Sequence, residues 1–523
     1  MNYADLFRVT LPETALEIAA LVVLVVDLAF LRKAALKVRV AVAALLGVAG
    51  CGAALWALHA YSGFGYRFNG ALVLAQYGYV PAAQSGILVL TALTLLLLID
   101  SDFTRHVGEF VAVVLMAATG GLLIAGAQDL LVIFVGLELL SLGLYIMTAF
   151  AKSSGKSAEA AMKYYLFGGM SAAFLLFGFS YFYGLTGSTN LNEINTALIR
   201  QGPSPLLYVA WILIIAGLGF KIAAVPFHLW APDTYEGAPT PAAAFIASVS
   251  KVASFALLLT ICGGLVTIQG FHPLNEFERH FQLFLRTWWG LYGILLLLAA
   301  VSMIVGNLAA LAQTSVRRLL AYSAIAHAGY ILLGVGTHPL PPQPGTGLVS
   351  VGIDNVVQAM INRQAPVIYY ILTYGLTIIG AFSVVSVVER ATGSDKLDSF
   401  LGLHKRNPLL AAVLLVLFLS LAGIPPLVGF WAKFNLFAAV LGVSAGPVPF
   451  ALVALAIAFS VVSLYYYLQV LKRAYVMPAI DETPIKAHPV TLSVQLLIAV
   501  AVVVLGCFPD LLLRWIESFY RVI

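Results

Sequence analysis

Four charged side chains stand in segments that are otherwise apolar enough to lie in lipid. They are Glu138, Lys221, Lys251 and Lys433, and each occurs in a different segment. A lone ammonium at the bilayer centre costs about 3 kcal/mol on insertion scales, so it is rarely kept there without a function. Ionisable groups at this depth are candidates for a proton relay. We therefore predict that these four groups form the functional site.

A row of these four ionisable groups could transfer protons. Burial favours the neutral form of a lysine and a nearby carboxylate favours its charged form, so a paired lysine can take up and release a proton near neutral pH. Linked through water, the four groups would form a path along the membrane plane. Structural interpretations stay open, with Glu138 as a protonated acid bonded between helices and Lys251 as part of a salt bridge.

Two further side chains belong to the predicted site, and each of them also has a structural interpretation. Lys163 lies in the first turns of its segment, where a lysine can also extend its ammonium to the headgroups. His327 lies on an apolar face, where a histidine is either hydrogen-bonded structure or a member of the relay.

The segment that carries Lys221 cannot be one straight helix. Pro226 has no amide hydrogen and its ring clashes with the carbonyl of Ile222, four residues back. The helix must therefore kink or unwind just after Lys221. Irregular backbone at membrane depth is tolerated only where it is buried in protein or faces water, so we expect Lys221 to line a hydrated internal site.

A second break is predicted in the segment that carries Lys433. Pro425 and Pro426 interrupt it, and they free the carbonyls of Leu421 and Ala422. The seventh and the twelfth helices should thus both be discontinuous.

The two broken segments suggest an internal repeat. Lys221 and Lys433 are 212 residues apart (433 − 221), and the same offset maps Lys251 onto Ser463. This offset implies two units of five helices each. Since five is odd, the units must have opposite orientations in the membrane, and inverted repeats with broken helices are typical of transporters.

The composition supports this architecture. The 523 residues are 61% hydrophobic and 10% charged, with a mean hydropathy of +0.98, which places the chain among polytopic membrane proteins. We predict an all-α fold of about fourteen transmembrane helices of ~20 residues each. They should begin near Pro12, Val38, Ala82, Val107, Leu130, Ala160, Leu206, Pro241, Arg286, Leu319, Ala365, Pro408, Val448 and His488. The predicted divisions are a three-helix segment (1–106), a first repeat (107–270), a second repeat (286–474) and a last helix (487–523).

The basic residues predict the orientation. With the N-terminus outside, the inner loops would hold sixteen of the loop lysines and arginines and the outer loops would hold eight. Cytoplasmic loops are enriched in basic residues, so we predict that both termini are outside. Acidic residues precede the first apolar run and no small-residue cleavage site follows it, so we expect a retained helix rather than a signal peptide.

Several functions receive no support. Cys51, Cys262 and Cys507 are isolated in apolar runs, whereas iron–sulfur and zinc sites need clustered ligands. No glycine-rich dinucleotide fingerprint is present, and nothing indicates nucleic-acid binding. We therefore expect no cofactor on this chain, so the driving energy must come through protein contacts in a larger complex.

The motifs around the charged residues resemble the antiporter-like membrane subunits of bacterial NADH:quinone oxidoreductase, respiratory complex I, and most of all its N subunits. The resemblance covers nearly the whole chain. It is carried by GLELLSLGLYIMTAF around Glu138, SAEAAMKYYLFGG around Lys163, GFKIAAVPFHLWAPDTYEGAPTPAAAFIASVSKVASF around Lys221 and Lys251, RRLLAYSAIAHAGY around His327 and LAGIPPLVGFWAKF around Lys433. Subunits of multi-subunit sodium/proton antiporters have a similar pattern and are the alternative.

The resemblance implies a function and roles for individual residues. The chain would be a proton-translocating subunit of the bacterial inner membrane, driven by quinone reduction on partner subunits that hold NADH, flavin and iron–sulfur clusters. Glu138 and Lys221 would form a coupling pair, Lys163 would tune or feed it, Lys251 would be the central relay and Lys433 would lie toward the exit. A third possibility is a structural membrane module whose charges are only salt bridges.

Overall fold

The structure is a computed structural model that describes residues 10–60, 66–67, 72–73, 78–201, 204–263, 275–337, 353–443, 446–479 and 481–520. These residues are almost entirely helical. The exception is a two-residue antiparallel ladder between β1 (Tyr66–Arg67) and β2 (Leu72–Val73). The ends of the chain and the predicted boundary at residue 270 lie outside the described residues.

Fourteen membrane spans can be identified in the described part of the chain. Twelve helices are long and apolar enough to cross a membrane; the first span and the broken twelfth complete the set. In chain order the helices of the spans and their connections are α1 (Leu11–Val25, continued by a π-turn, Val26–Phe30), α2 (Leu36–Ala60), α3 (Val80–Leu98), α4 (Val107–Gly126), α5 (Leu130–Thr148), α6 (Gly155–Thr186), α7 (Leu191–Gln201), α8 (Pro205–Ile222), α9 (Trp230–Gly237), α10 (Thr240–Ala247), α11 (Val249–Gly263), α12 (Asn275–Leu311), α13 (Val316–Gly336), α14 (Ile353–Thr392), a 3-10 turn (Leu397–Phe400), α15 (Leu403–Arg406), α16 (Pro408–Ala422), α17 (Val428–Val443), α18 (Pro447–Tyr475), α19 (Pro489–Cys507) and α20 (Asp510–Ser518). The predicted all-α polytopic fold is confirmed.

Both predicted breaks are present. In the seventh span α8 ends at Ile222, and Ala223 is left-handed with φ 58°. In the twelfth span α16 ends at Ala422, and Gly423 is left-handed with φ 88°. A left-handed residue directly after a helix is a common way to end it, because its amide then bonds back to the last turn.

The register of the repeat differs from our prediction. The two left-handed residues are 200 residues apart (423 − 223), and so are Pro226 and Pro426. The offset of 212 was therefore wrong, because it matched residue types rather than backbone positions. Lys221 precedes its break, whereas Lys433 follows its break, in α17.

The eighth span carries an interruption that we did not predict. Ser248 separates α10 from α11 with φ −117° and ψ −76°, and its hydroxyl donates to the carbonyl of Ala244 at 2.6 Å. Serine hydroxyls that bond back in this way tend to bend helices. Lys251 therefore lies in the first turn of α11 rather than in the middle of a continuous helix.

The eighth, tenth and eleventh spans form the centre of the bundle. Nearly all of their apolar residues are buried, whereas the sixth and thirteenth spans are largely exposed along their lengths. A helix that is apolar and buried on all sides belongs to the interior of a large or membrane-embedded bundle. The central spans are those that carry Lys251 and His327.

Candidate functional site

The predicted residues differ in how far they are buried. Lys221, Lys251, Lys433 and His327 expose only 8%, 2%, 5% and 4% of their surface. Glu138 is half-buried. The three lysines and the histidine therefore face the protein interior rather than lipid or headgroups.

Lys221 is bonded to the fifth span. Its Nζ donates to Ser141 Oγ at 2.5 Å, and Ser141 lies one turn beyond Glu138 on α5. Glu138 is close enough to act electrostatically on Lys221, although no described ion pair within 4.0 Å joins the two. Ser141 is thus the direct partner, and sequence reasoning missed it because a serine in a helix is usually a packing residue.

Lys251 is bonded to the break in the seventh span. Its Nζ donates to the carbonyl of Ile222 at 3.1 Å and to that of Ala324, on α13, at 2.9 Å. The carbonyl of Ile222 is the one with which the ring of Pro226 was predicted to clash. The negative end of a helix dipole favours a cation, so the break provides a binding place for the Lys251 ammonium.

Lys433 is bonded to the break in the twelfth span in the same way. Its Nζ donates to the carbonyls of Leu421 at 3.2 Å and Ala422 at 2.9 Å, the two that were predicted to be free. It also donates to Ser460 Oγ at 2.8 Å. Each broken helix therefore ends on a buried lysine, which comes from the eighth span in the first case and from the second half of the same span in the other.

The tenth span joins the two lysines. Ala324, His327 and Tyr330 follow one another at intervals of three residues, so they share one face of α13. Lys251 donates to the carbonyl of Ala324 at 2.9 Å, and Lys433 Nζ lies 5.4 Å from the Tyr330 ring centre. His327 lies between them and within electrostatic range of both.

Hydroxyl groups surround His327. Tyr370 OH lies 2.9 Å from Nδ1 and Tyr467 OH lies 3.4 Å from Nε2. Tyr467 also bonds to Ser323. Farther along, Asn307 accepts from Tyr466 at 3.1 Å and donates to Tyr330 OH at 3.2 Å. Sequence reasoning missed these groups because tyrosines at helical spacing look like ordinary core aromatics.

Lys163 lies apart from this row. Its side chain is 41% exposed and its Nζ is 2.7 Å from both Asp233 and Glu159. Asp233 also accepts from Arg318 at 2.7 Å, and Arg318 bonds to Glu236 at 2.9 Å. Asp233 and Glu236 lie in α9, which links the seventh and eighth spans. We assigned no role to them from the sequence, and their ion pairs connect α9 to the sixth and tenth spans.

This ion cluster predicts a pH dependence of stability. Partial burial raises the pKa of the Asp233 carboxyl, but the hydrogen bonds from Lys163 and Arg318 outweigh it and hold the pKa below its usual range. A lowered folded-state pKa stabilises the protein above the ordinary carboxyl pKa, and this contribution is lost as the pH falls through the folded value. We expect Asp233→Asn to lower the thermal midpoint at pH 7, and the gap to the parent chain to shrink below about pH 4. A gap that is constant from pH 7 to pH 3 would contradict this.

The buried row consists of groups that can exchange protons. An amine, an imidazole and a hydroxyl can each accept one proton and release another. No group of three or more His, Cys, Asp or Glu residues in the described part of the chain could hold a metal ion. The arrangement is thus suited to acid–base transfer between buried groups.

Comparisons with known proteins agree with these features. The family model described as "NADH:quinone oxidoreductase/Mrp antiporter, TM" matches residues 127–272, 274–340 and 347–460. NADH-quinone oxidoreductase subunit N 2 of Acidobacterium capsulatum is 46% identical over 99% of this chain and 99% of its own length. The predicted resemblance is confirmed.

Solved structures share the fold. A chain of respiratory complex I from Thermus thermophilus superposes with a TM-score of 0.72 at 32% identity, covering 97% of this chain and 99% of that one. A chain of the Mrp complex from Dietzia sp. superposes with a TM-score of 0.71 at 20% identity, covering 97% of each, which shows likeness of fold alone. The family model, the relative and the complex I chain agree, and the chain belongs to the NADH:quinone oxidoreductase/Mrp antiporter family of transmembrane subunits.

Proposed function

We propose that this chain is a proton-translocating membrane subunit of an NADH:quinone oxidoreductase. The observation that carries the proposal is the buried row itself. Ser141 contacts Lys221, the carbonyl of the next residue, Ile222, contacts Lys251, and α13 leads from Lys251 past His327 to Lys433. Buried ionisable groups are expensive, and a purely structural module would have no need for a row of them.

The proposed path runs from Glu138 to Lys433. Glu138 and Lys221 act as the coupling pair, with Ser141 as the hydroxyl that contacts the amine. Lys251 is the central relay, His327 passes the proton onward, and Lys433 lies toward the exit. Because both broken helices end on lysines, a change in the protonation of either lysine alters how well it binds the free carbonyls.

Lys163 has a separate proposed role. It is bonded to Asp233, in the helix that begins soon after the break that follows Lys221. We propose that Lys163 tunes the coupling pair indirectly, by fixing the position of α9 and hence of the break.

The proposal also assigns partners and location. This chain has 46% identity over its length to a protein named as an N subunit, which favours a place among the membrane subunits of complex I, in the bacterial inner membrane with both termini outside. NADH, flavin, iron–sulfur clusters and quinone would be bound by partner subunits, and the peripheral redox arm would act on this chain indirectly.

The test uses the assembled complex in proteoliposomes, with proton uptake measured during NADH-driven quinone reduction. Lys221→Ala should assemble and lose proton uptake by about 10-fold or more, since a positioned proton carrier is worth ~10²–10⁴ in rate. Lys152→Ala, a matched change at an exposed lysine, should leave uptake unchanged. If Lys221→Ala assembles and pumps normally, the scaffold interpretation is correct and the proposal fails.

The same preparation addresses the alternative of sodium/proton antiport, since the family description includes an Mrp antiporter. Flavin and iron–sulfur subunits should purify with this chain if the proposal is right. Purification without them, together with sodium-dependent proton exchange and no NADH oxidation, would assign the antiporter function instead.

A further inference from the structure

A cleft opens at the face of the bundle that carries the linker between the seventh and eighth spans. Its volume is about 420 Å³, and its lining includes Glu236, Thr240, Arg317, Glu389 and Arg390. Thr240 donates to Glu389 at 3.1 Å, and Arg317 pairs with the same carboxylate at 3.1 Å. Basic residues that predict the cytoplasmic side line this cleft. With the predicted orientation, the cleft therefore opens to the side from which protons would be taken up.

Arg317 connects the wall of the cleft to the interior. It is only 5% exposed, and its Nε donates to the carbonyl of Tyr235 at 2.9 Å. Tyr235 is completely buried, with its ring 5.8 Å from that of Phe382 on the eleventh span. Its hydroxyl is buried and bonds to no group among the described residues.

Tyr374 lies between this region and the charged row. It lies one turn beyond Tyr370 on α14, and its ring centre is 4.8 Å from that of His327. Its hydroxyl is also buried and also bonds to no described group. Tyr235 packs against Phe382, eight residues along the same helix from Tyr374, so both tyrosines belong to the region between the cleft and His327.

Other buried tyrosines have hydrogen-bond partners for their hydroxyls, so the lack of a described partner at Tyr235 and Tyr374 is unusual. Tyr79 bonds to Thr260 at 2.5 Å, Tyr292 donates to the carbonyl of Cys262 at 3.0 Å, and Tyr466 donates to Asn307. Buried hydroxyls normally have partners, and the exceptions call for an explanation such as bound water. Water bound in the region between Phe382 and His327 would provide partners for both hydroxyls.

We propose that the hydroxyls of Tyr235 and Tyr374 bind water and form the uptake route from the Arg317–Glu389 cleft to His327. A proton arriving from water forms a new O–H bond on a tyrosine as the old O–H bond breaks toward the next group, so each tyrosine ends neutral and unchanged. The route enters the row at His327, away from Glu138 and Lys221. It rests on the proposed function and adds to it the place where protons enter.

The test compares Tyr235→Phe and Tyr374→Phe with Tyr369→Phe in proteoliposomes of the assembled complex. Tyr369 lies on the same helix, but its hydroxyl is 3.5 Å from the carbonyl of Leu505, toward the fourteenth span. Phenylalanine keeps the ring and removes only the hydroxyl. We expect roughly 10-fold slower proton uptake for Tyr235→Phe and for Tyr374→Phe, with no change for Tyr369→Phe, because only the first two changes break the proton path.

Thermal stability provides a second measurement, which would change if the two hydroxyls had a structural role. Removing a hydroxyl that has no protein partner should leave the thermal midpoint unchanged or raise it. A clear loss of stability in Tyr235→Phe and Tyr374→Phe would overturn the inference, because it would mean that the hydroxyls hold the fold together. Normal uptake in both variants would also overturn it. Lys221→Ala separates the two claims: if it loses proton uptake while the tyrosine variants keep theirs, the relay stands and only this entry route fails.

Discussion

Lys251→Gln is expected to assemble into the complex and to lose nearly all proton translocation. The lysine is 2% exposed and bridges the carbonyls of Ile222 and Ala324, on two different spans. Glutamine keeps a hydrogen-bond donor for these carbonyls but cannot take up and release a proton. Because Lys251 is the proposed link between the coupling pair and α13, we expect the rate of uptake to fall by about 10²-fold or more, within the usual range for a positioned acid or base.

The matched control is Lys152→Gln, the same chemical change at a surface lysine. Lys152 is exposed and lies in the connection between the fifth and sixth spans. Its uptake should equal that of the parent chain. Proton uptake by Lys251→Gln at the parent rate would show that the bridge between the two carbonyls is needed only for packing, and the relay would then have to bypass the eighth span.

The sequence was enough to predict the buried lysines and the breaks, because each depends on a strong local effect. A lysine in an apolar run is costly wherever it lies, and a proline frees a specific carbonyl whatever surrounds it. Hence Lys251 and Lys433 could be assigned to the interior, and the carbonyls of Ile222, Leu421 and Ala422 could be named before their partners were known. What could not be predicted was that these lysines and these carbonyls bind one another, since the contacts of Lys251 join residues 29 and 73 positions apart.

The features that sequence reasoning missed depend on packing between distant spans. Ser141, Tyr370 and Tyr467 are ordinary helix residues until the fold brings Lys221 or His327 beside them. The linker acids Asp233 and Glu236 gain their partners only when the sixth and tenth spans meet α9. The repeat register was wrong for a different reason: Lys221 and Lys433 have the same side chain but lie on opposite sides of their breaks, so the offset between the lysines is not the offset between the breaks.

Arg317→Met is expected to cause the largest loss of stability among the charged residues of the cleft. The buried guanidinium donates to the carbonyl of Tyr235 at 2.9 Å, to the carbonyl of Ala238, and to Glu389 at 3.1 Å. Methionine fills a similar volume but leaves two carbonyls and one carboxylate without these donors. A buried polar group left without its hydrogen bond costs about 1–3 kcal/mol. Because two buried carbonyls lose their donor, we expect a loss of about 2–6 kcal/mol in denaturant unfolding of the purified chain, with reduced assembly in the membrane.

The neighbouring arginine supplies the control. Arg318 is 29% exposed and pairs with Asp233 and Glu236 near the surface, so Arg318→Met should cost no more than about 1 kcal/mol. Adding Glu389→Gln to Arg317→Met should recover part of the loss, because the amide removes the stranded charge while the two carbonyls stay unpaired. If Arg317→Met and Arg318→Met are equally stable, the carbonyls of Tyr235 and Ala238 must find other donors. The position of Tyr235, on which the proposed uptake route depends, would then not be set by Arg317.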